Sequence, residues 1–270
     1  MAENKLLVFI GNSHLQALRA AAVSKTSIAN ALPDVRWIFI PIDARNKWTS
    51  PLIVTDAKGE EKINQAIGYA LEKEGFFNRD VQRVFISALS GNIHNAMGLI
   101  EQRQKFDVII PGRSDLPVAR DARIVPVEQF LAYFRKQYEP FFNFFSLAAR
   151  HAKPDQLIWL EPPSPIESNE HITKNMDQWF KENYSKEDLR PSLPLLRYKL
   201  WLLNRMVLQE GASERLWTFL TVPSSTQDET GYRVRQAWNN DATHGSAWYG
   251  EEVLKNVWLQ LGKFVEGVNK

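Results

Sequence analysis

Cysteine is absent from all 270 residues. That absence excludes a disulfide scaffold, thiolate-bound zinc, an iron–sulfur cluster and a cysteine nucleophile together. Charge of one sign is also scarce: 33 Lys and Arg are interleaved with 31 Asp and Glu, for a formal net charge of +2. Without a basic block, dedicated nucleic-acid binding is not indicated. No apolar run approaches the ~18 residues of a membrane span. The run Leu6–Ile10 is too short for a signal peptide and follows an early acid, Glu3, so the cytoplasm is the expected compartment. Low-complexity tracts and internal repeats are missing as well. The first strand-to-helix turn carries neither G-x-G-x-x-G nor G-x-x-x-x-G-K-S/T, which argues against nucleotide binding there.

What is present is an ordinary globular composition, 44% hydrophobic and 24% charged. A chain of this length buries roughly three quarters of its unfolded surface and needs no metal or disulfide to hold a core. No linker interrupts it, so one domain over 1–270 is expected. Short apolar runs recur at Leu6–Ile10, Val35–Ile40, Val81–Ile86, Leu157–Leu160 and Leu216–Val222, with Val108–Ile110 either a strand end or a buried connection. Amphipathic stretches separate them. One starts after Ser13, with Leu15, Leu18, Ala22 and Val23 at helical spacing, and the others are Ile63–Lys73, Val127–His151, Leu195–Gln209 and Glu251–Phe264. Strands alternating with helices indicate an α/β fold, a three-layer α/β/α sandwich around a parallel sheet of about five strands, flavodoxin-like and doubly wound. The stripe Phe130, Leu131, Phe134, Tyr138, Phe141, Phe142 and Phe145 reads as the core face of the longest helix. Arg197, Lys199 and Arg205 read as a solvated helix face.

In such sheets ligands bind beyond the carboxyl ends of the strands. Three segments there carry reactive groups. Gly11-Asn12-Ser13-His14 puts a hydroxyl at the mouth of the first helix, whose partly positive end suits an anion, although Ser or Asn before a helix is also a plain N-cap. Ser90-Gly91-Asn92-Ile93-His94-Asn95 is either a turn or a means of aiming an amide donor at the same edge. Within it His94 is a possible base but more in keeping with a hydrogen-bonded structural histidine. Asp241-Ala242-Thr243-His244 lets a carboxylate hold Nδ1 of an imidazole and leaves Nε2 free to accept a proton, but D-x-x-H alone is a weak signal. Taken together they run in the order nucleophile, oxyanion donor, acid–base pair.

In those three blocks the chain resembles the SGNH (GDSL-like) hydrolases, a superfamily of serine esterases. The resemblance implies that Ser13 is the nucleophile and that its backbone N–H and the Asn92 side chain form the oxyanion hole. It likewise implies that Asp241 and His244 complete a triad, with no metal or organic cofactor. Three departures stand out. Asn12 replaces the usual aspartate, Ser90 replaces a glycine (leaving Asn95 as a fallback donor), and the second-block glycine has only Gly59 and Gly68 as candidates. The implied activity is hydrolysis of a small acyl (acetyl) ester, of a carbohydrate or of another alcohol, with Trp48, Trp238, Trp248 and Tyr249 either stacking on a sugar or belonging to the core. Two alternatives are an O-acyltransferase using the same site and a non-catalytic SGNH-fold binding module. Expected partners are a small-molecule or carbohydrate ester, with neither nucleic acid nor membrane.

Overall fold

The five apolar runs all become strands of one sheet. The computed structural model describes residues 5–42, 50–89, 91–176, 178–183, 185 and 188–268, with side chains of the last helix described as far as 262. In chain order the main elements are β1 (Lys5–Gly11), α1 (Leu15–Ala22), β2 (Val35–Pro41), α2 (Gln65–Lys73), β3 (Gln82–Ala88) and α3 (Ile93–Gly98). These are followed by α4 (Val127–Ala152), β4 (Gln156–Leu160), α5 (Pro194–Glu214), β5 (Thr218–Leu220) and α6 (Ala247–Val268). The sheet order is β2-β1-β3-β4-β5 with every pairing parallel. The chain winds outward from β1 in one direction and then in the other, so a topological switch point lies between β1 and β3.

Strand alternation divides the core in two. Leu6, Val8, Ile10, Phe85 and Trp159 face α2, α4 and α5. Leu7, Phe9, Val84, Ile86 and Ile158 face α1 and α6. These two cores on opposite faces make the three-layer sandwich read from the sequence. The aromatic stripe of α4 lies in the first of them: Phe145 stacks on Phe85 with centroids 4.4 Å apart, and Phe142 meets Trp159 edge-on at 4.9 Å. Among the described residues no helix is long and apolar enough to cross a membrane.

The structure departs from the pattern at several boundaries. Helix α2 starts at Gln65 rather than Ile63, because the Asn64 side chain caps it by accepting from the Ala66 N–H at 2.9 Å. Ile63 instead ends a small hairpin, Ile53–Thr55 with Glu61–Ile63. Val108–Ile110 is a connection, with Val108 and Ile110 buried and Ile109 exposed, which leaves the two-residue strand Phe106–Asp107 pairing with Arg123–Ile124. The last strand shrinks to Thr218–Leu220, since Leu216 sits in a left-handed turn (φ 57°) and is exposed.

The solvated face expected for α5 is wrong for two of its three cations. Arg197 and Lys199 are buried. The Arg197 guanidinium donates to the carbonyls of Ser192, Ile166 and Glu167 and to Asn169 Oδ1. Lys199 Nζ lies 2.8 Å from Asp107 Oδ1 and donates to the Pro117 carbonyl. Arg205 is partly exposed and reaches Glu161. Leu196, Leu200, Trp201, Leu203 and Val207 are buried on the same helix, which packs on α3, α4 and β5. Packing against three neighbours buries this helix on more than its apolar side, and the cations caught there must find partners inside. Lys199→Met should destabilise the fold by about 3–5 kcal/mol, because it strands the Asp107 carboxylate. Breaking the exposed Arg135–Glu210 pair should cost about 0–1 kcal/mol. Urea denaturation of both variants checks the contrast.

Candidate active site

The exits of β1 and β3 flank the switch point and approach closely. Gly11 is register partner to Ala88, and a Cβ on Gly11 would stand 2.7 Å from the Ala88 carbonyl oxygen. Asn12 then uses its amide nitrogen to bond the Ile42 carbonyl at 2.9 Å, tying the exit of β1 to that of β2. An aspartate could only accept, so asparagine at this position follows from what faces it. The Asn12 and Ser13 carbonyls accept from Leu15 and Gln16 at 3.0 and 3.1 Å, forming the turn that leads into α1. N–H groups in such a first turn have no intrahelical partner. Ser13 is partly exposed, and its hydroxyl has no hydrogen-bond partner among the described residues.

His14, next in sequence, is buried and points inward. Its Nε2 lies 2.9 Å from Asn92 Oδ1, and its ring centroid is 5.0 Å from that of His244. Gly91 makes room for this ring, since any Cβ there would collide with the imidazole. Asn92 Oδ1 also receives the Asn95 amide at 2.8 Å, and Asn92 Nδ2 lies 3.4 Å from His244 Nε2. Asn95 thus backs Asn92 instead of substituting for it.

The Asp241–His244 pair forms within one turn, with Nδ1 3.1 Å from Asp241 Oδ2. The other carboxylate oxygen accepts the N–H groups of Thr243 at 2.9 Å and His244 at 2.7 Å, and Asn239 Nδ2 donates to Oδ2 at 2.7 Å. Burial by itself would raise the Asp241 carboxyl. The hydrogen bond and charge of His244 and the two backbone N–H groups outweigh it and hold the group well below its ordinary value.

Two residues that the sequence did not single out, Arg233 and His171, hold this loop. Arg233, fully buried, donates from Nε to the Ser164 carbonyl, from Nη1 to that of His244 and from Nη2 to that of Thr243, at 2.8, 2.7 and 3.0 Å. His171 Nε2 lies 3.1 Å from the Asp241 carbonyl oxygen and its ring packs on Trp238. Glu161, at the end of β4, accepts the Val222 N–H at 2.9 Å, and burial, opposed by Arg205, pushes its carboxyl up to about 7. Ala242 is held in a small cluster with Leu99, Ile100, Ile166 and Ile172. Arg233 and His171 grip carbonyl oxygens, which no residue identity encodes, so nothing in the local sequence marked them.

Other candidates fall away. His94 is buried, and neither ring nitrogen has a hydrogen-bond partner among the described residues. Burial and then the Arg233 charge push it down to about 3, so it is neither a surface base nor the hydrogen-bonded histidine expected. Gly59 occupies the turn of the small hairpin and Gly68 lies inside α2, so neither stands at a sheet-strand exit. Tyr249 is buried, Trp248 packs against the second core, and Trp238 donates from its indole to the Arg233 carbonyl at 2.7 Å. These aromatics are engaged in packing rather than offered to a sugar. Trp48 and Ser90 lie outside the described residues. No cluster of His, Asp and Glu suited to a metal occurs among the described residues. A cavity of about 650 Å³ beside Met97, Phe106 and Phe130 includes neither Ser13 nor His244.

No protein-family model matches the chain, and no curated protein sequence does. Among solved structures, the periplasmic domain of the lipopolysaccharide acetyltransferase of Salmonella ser. Paratyphi A matches with a TM-score of 0.50 at 10% identity. That match covers 96% of this chain and 84% of that one. A GDSL-like lipase from Bacteroides thetaiotaomicron matches with a TM-score of 0.44 at 12% identity, over 97% and 92% of the two chains. A carbohydrate acetylesterase from Sinorhizobium meliloti matches at 0.44 and 11%, over 96% and 99%. The chain is a doubly wound α/β protein with polar groups gathered at the carboxyl edge of its sheet. Within that class it shares the fold of the acetyltransferase periplasmic domain.

Two outcomes follow from the geometry. A carboxyl held below its ordinary 3.8 adds stability that is present above that pH and lost as pH falls through the folded value. The gap in urea midpoint between wild type and Asp241→Asn should therefore be widest above pH 4 and close as the solution is acidified. Asn12→Asp should cost about 1–3 kcal/mol, by setting an acceptor against the Ile42 carbonyl, and the same denaturation series reads it.

Proposed function

We propose that the protein is a serine esterase acting on small acyl esters. Ser13 is the nucleophile, His244 the general base, and Asp241 the residue that orients the imidazole. The observation that carries this reading is the meeting of three distant segments. The Asp241–His244 pair reaches Asn92, and the residue after Ser13 touches both Asn92 and the His244 ring.

In this reading His244 carries its proton on Nδ1, facing the carboxylate, so the Nε2 lone pair is free. Ser13 attacks the ester carbonyl while Nε2 takes the hydroxyl proton, giving a tetrahedral intermediate. The Asn92 amide and the Ser13 N–H donate to its oxyanion. Collapse of the intermediate releases the alcohol, protonated by His244. Water then attacks the acyl-serine, with His244 again acting as base, and regenerates the hydroxyl. At rest the Ser13 hydroxyl is not bonded to His244, whose Nε2 faces the Asn92 amide instead. Such pairs commonly tighten only when substrate binds. Trp238, Trp248 and Tyr249 lie in the packing, so the proposal is for a small acyl ester without a commitment to a sugar.

p-Nitrophenyl acetate hydrolysis and fluorophosphonate labelling test it. Ser13→Ala should abolish labelling, and Ser13→Ala and His244→Ala should each lower kcat by about 10⁴-fold or more, the double variant losing little further. Absent labelling with no turnover that depends on Ser13 would mean a binding protein, and faster transfer to added sugar hydroxyls than to water would mean an acyltransferase.

A further inference from the structure

The hydrogen bonds around Asn92 have a direction, and a single group sets it. The Asp241 carboxylate can only accept, so His244 places its proton on Nδ1 at 3.1 Å and presents a lone pair at Nε2. The Asn92 atom facing that lone pair at 3.4 Å must then be the amide nitrogen. Asn92 Oδ1 is thereby turned to the interior, where it needs donors. Two are present: Asn95 Nδ2 at 2.8 Å and His14 Nε2 at 2.9 Å. A reversed Asn92 amide would set a protonated His244 Nε2 toward Oδ1 and an unprotonated Nδ1 against the carboxylate, which is repulsive.

We propose that His14 is a positioning residue whose Nε2–H holds the Asn92 carbonyl from the buried side, so that the Asn92 amide nitrogen is aimed at the reacting oxygen. The proposal rests on the esterase reading of the site for its catalytic consequence, but not for its hydrogen-bond direction. His14 is suited to the task because it stays neutral: burial, and then the positive charges available to His244 and Arg233, hold its imidazole well below the ordinary histidine value. A neutral ring with its proton on Nε2 is a fixed donor. Packing of the ring on Gly91 restricts its rotation, and its place directly after Ser13 couples the nucleophile turn to the oxyanion donor.

Long-range ¹H–¹⁵N correlation of the histidine ring in the wild-type protein reads the direction without any need for activity. The expected result is a protonated Nε2 and an acceptor Nδ1 on His14. The opposite tautomer overturns the proposal whether or not the protein is an esterase. Kinetics then test the consequence. His14→Phe fills the space without a donor and should lower kcat about 10–100-fold, less than outright loss of an oxyanion donor, with KM changed less than about threefold. His14→Gln, which can still donate, should recover most of the rate. In the His14→Phe background, Asn92→Ala should cost clearly less than it does in the wild type, because part of the donor's contribution is already lost. A full Asn92→Ala loss in that background, or equal rates for the Phe and Gln variants, overturns the proposal. Absence of any Ser13-dependent turnover in the wild type defeats the esterase reading instead and leaves the ring measurement to decide.

Discussion

One acceptor-only group gives the site its order. The Asp241 carboxylate fixes the proton of His244, His244 fixes which end of the Asn92 amide faces it, and His14 and Asn95 complete the chain from behind. Each link is a neutral or singly charged hydrogen bond worth little on its own in water. In a partly buried setting their directions reinforce one another, and reversing any member leaves two donors or two acceptors face to face. The carboxylate is in turn held by two backbone N–H groups of its own loop, so the direction of the network starts from main chain.

The fold supplies the meeting place through the switch point between β1 and β3. Two parallel strands emerge there side by side and their following turns diverge to opposite faces of the sheet. Gly11 permits the two exits to touch at Ala88, and Gly91 permits the His14 ring to lie across the gap. The Asp241–His244 loop arrives from the far end of the chain and has little regular structure of its own. It is kept in place by Arg233, by His171 and by the small apolar cluster around Ala242.

Buried guanidinium groups recur in this molecule as fasteners of irregular chain. Arg233 joins the loop at Ser164 to the one at Thr243 and His244. Arg197 holds the carbonyls of Ser192, Ile166 and Glu167, and Arg83 those of Phe76, Ala152 and Lys153. A planar fork of five donors can satisfy several carbonyls that no strand or helix partners. It also explains how loops with few apolar residues stay packed beside a polar site, at the cost of placing positive charge where His14 and His94 must then remain neutral.

The sheet, its two faces and the stripe of α4 were legible in the sequence because they depend on side-chain periodicity, which each segment carries within itself. The same holds for the one-turn Asp241–His244 contact. Asn92 was legible as a strand-exit amide, but not the orientation of its amide, which depends on donors from residues 14 and 95 meeting it in space. The burial of Lys199 and Arg197 and the grip of Arg233 were not legible either, since their partners are a carboxylate far along the chain and backbone oxygens that every residue possesses. Sequence by itself determined which groups are available and which strand ends present them. Tertiary packing alone decided which way each hydrogen bond points, because a donor acquires direction only from the acceptor that folding sets in front of it.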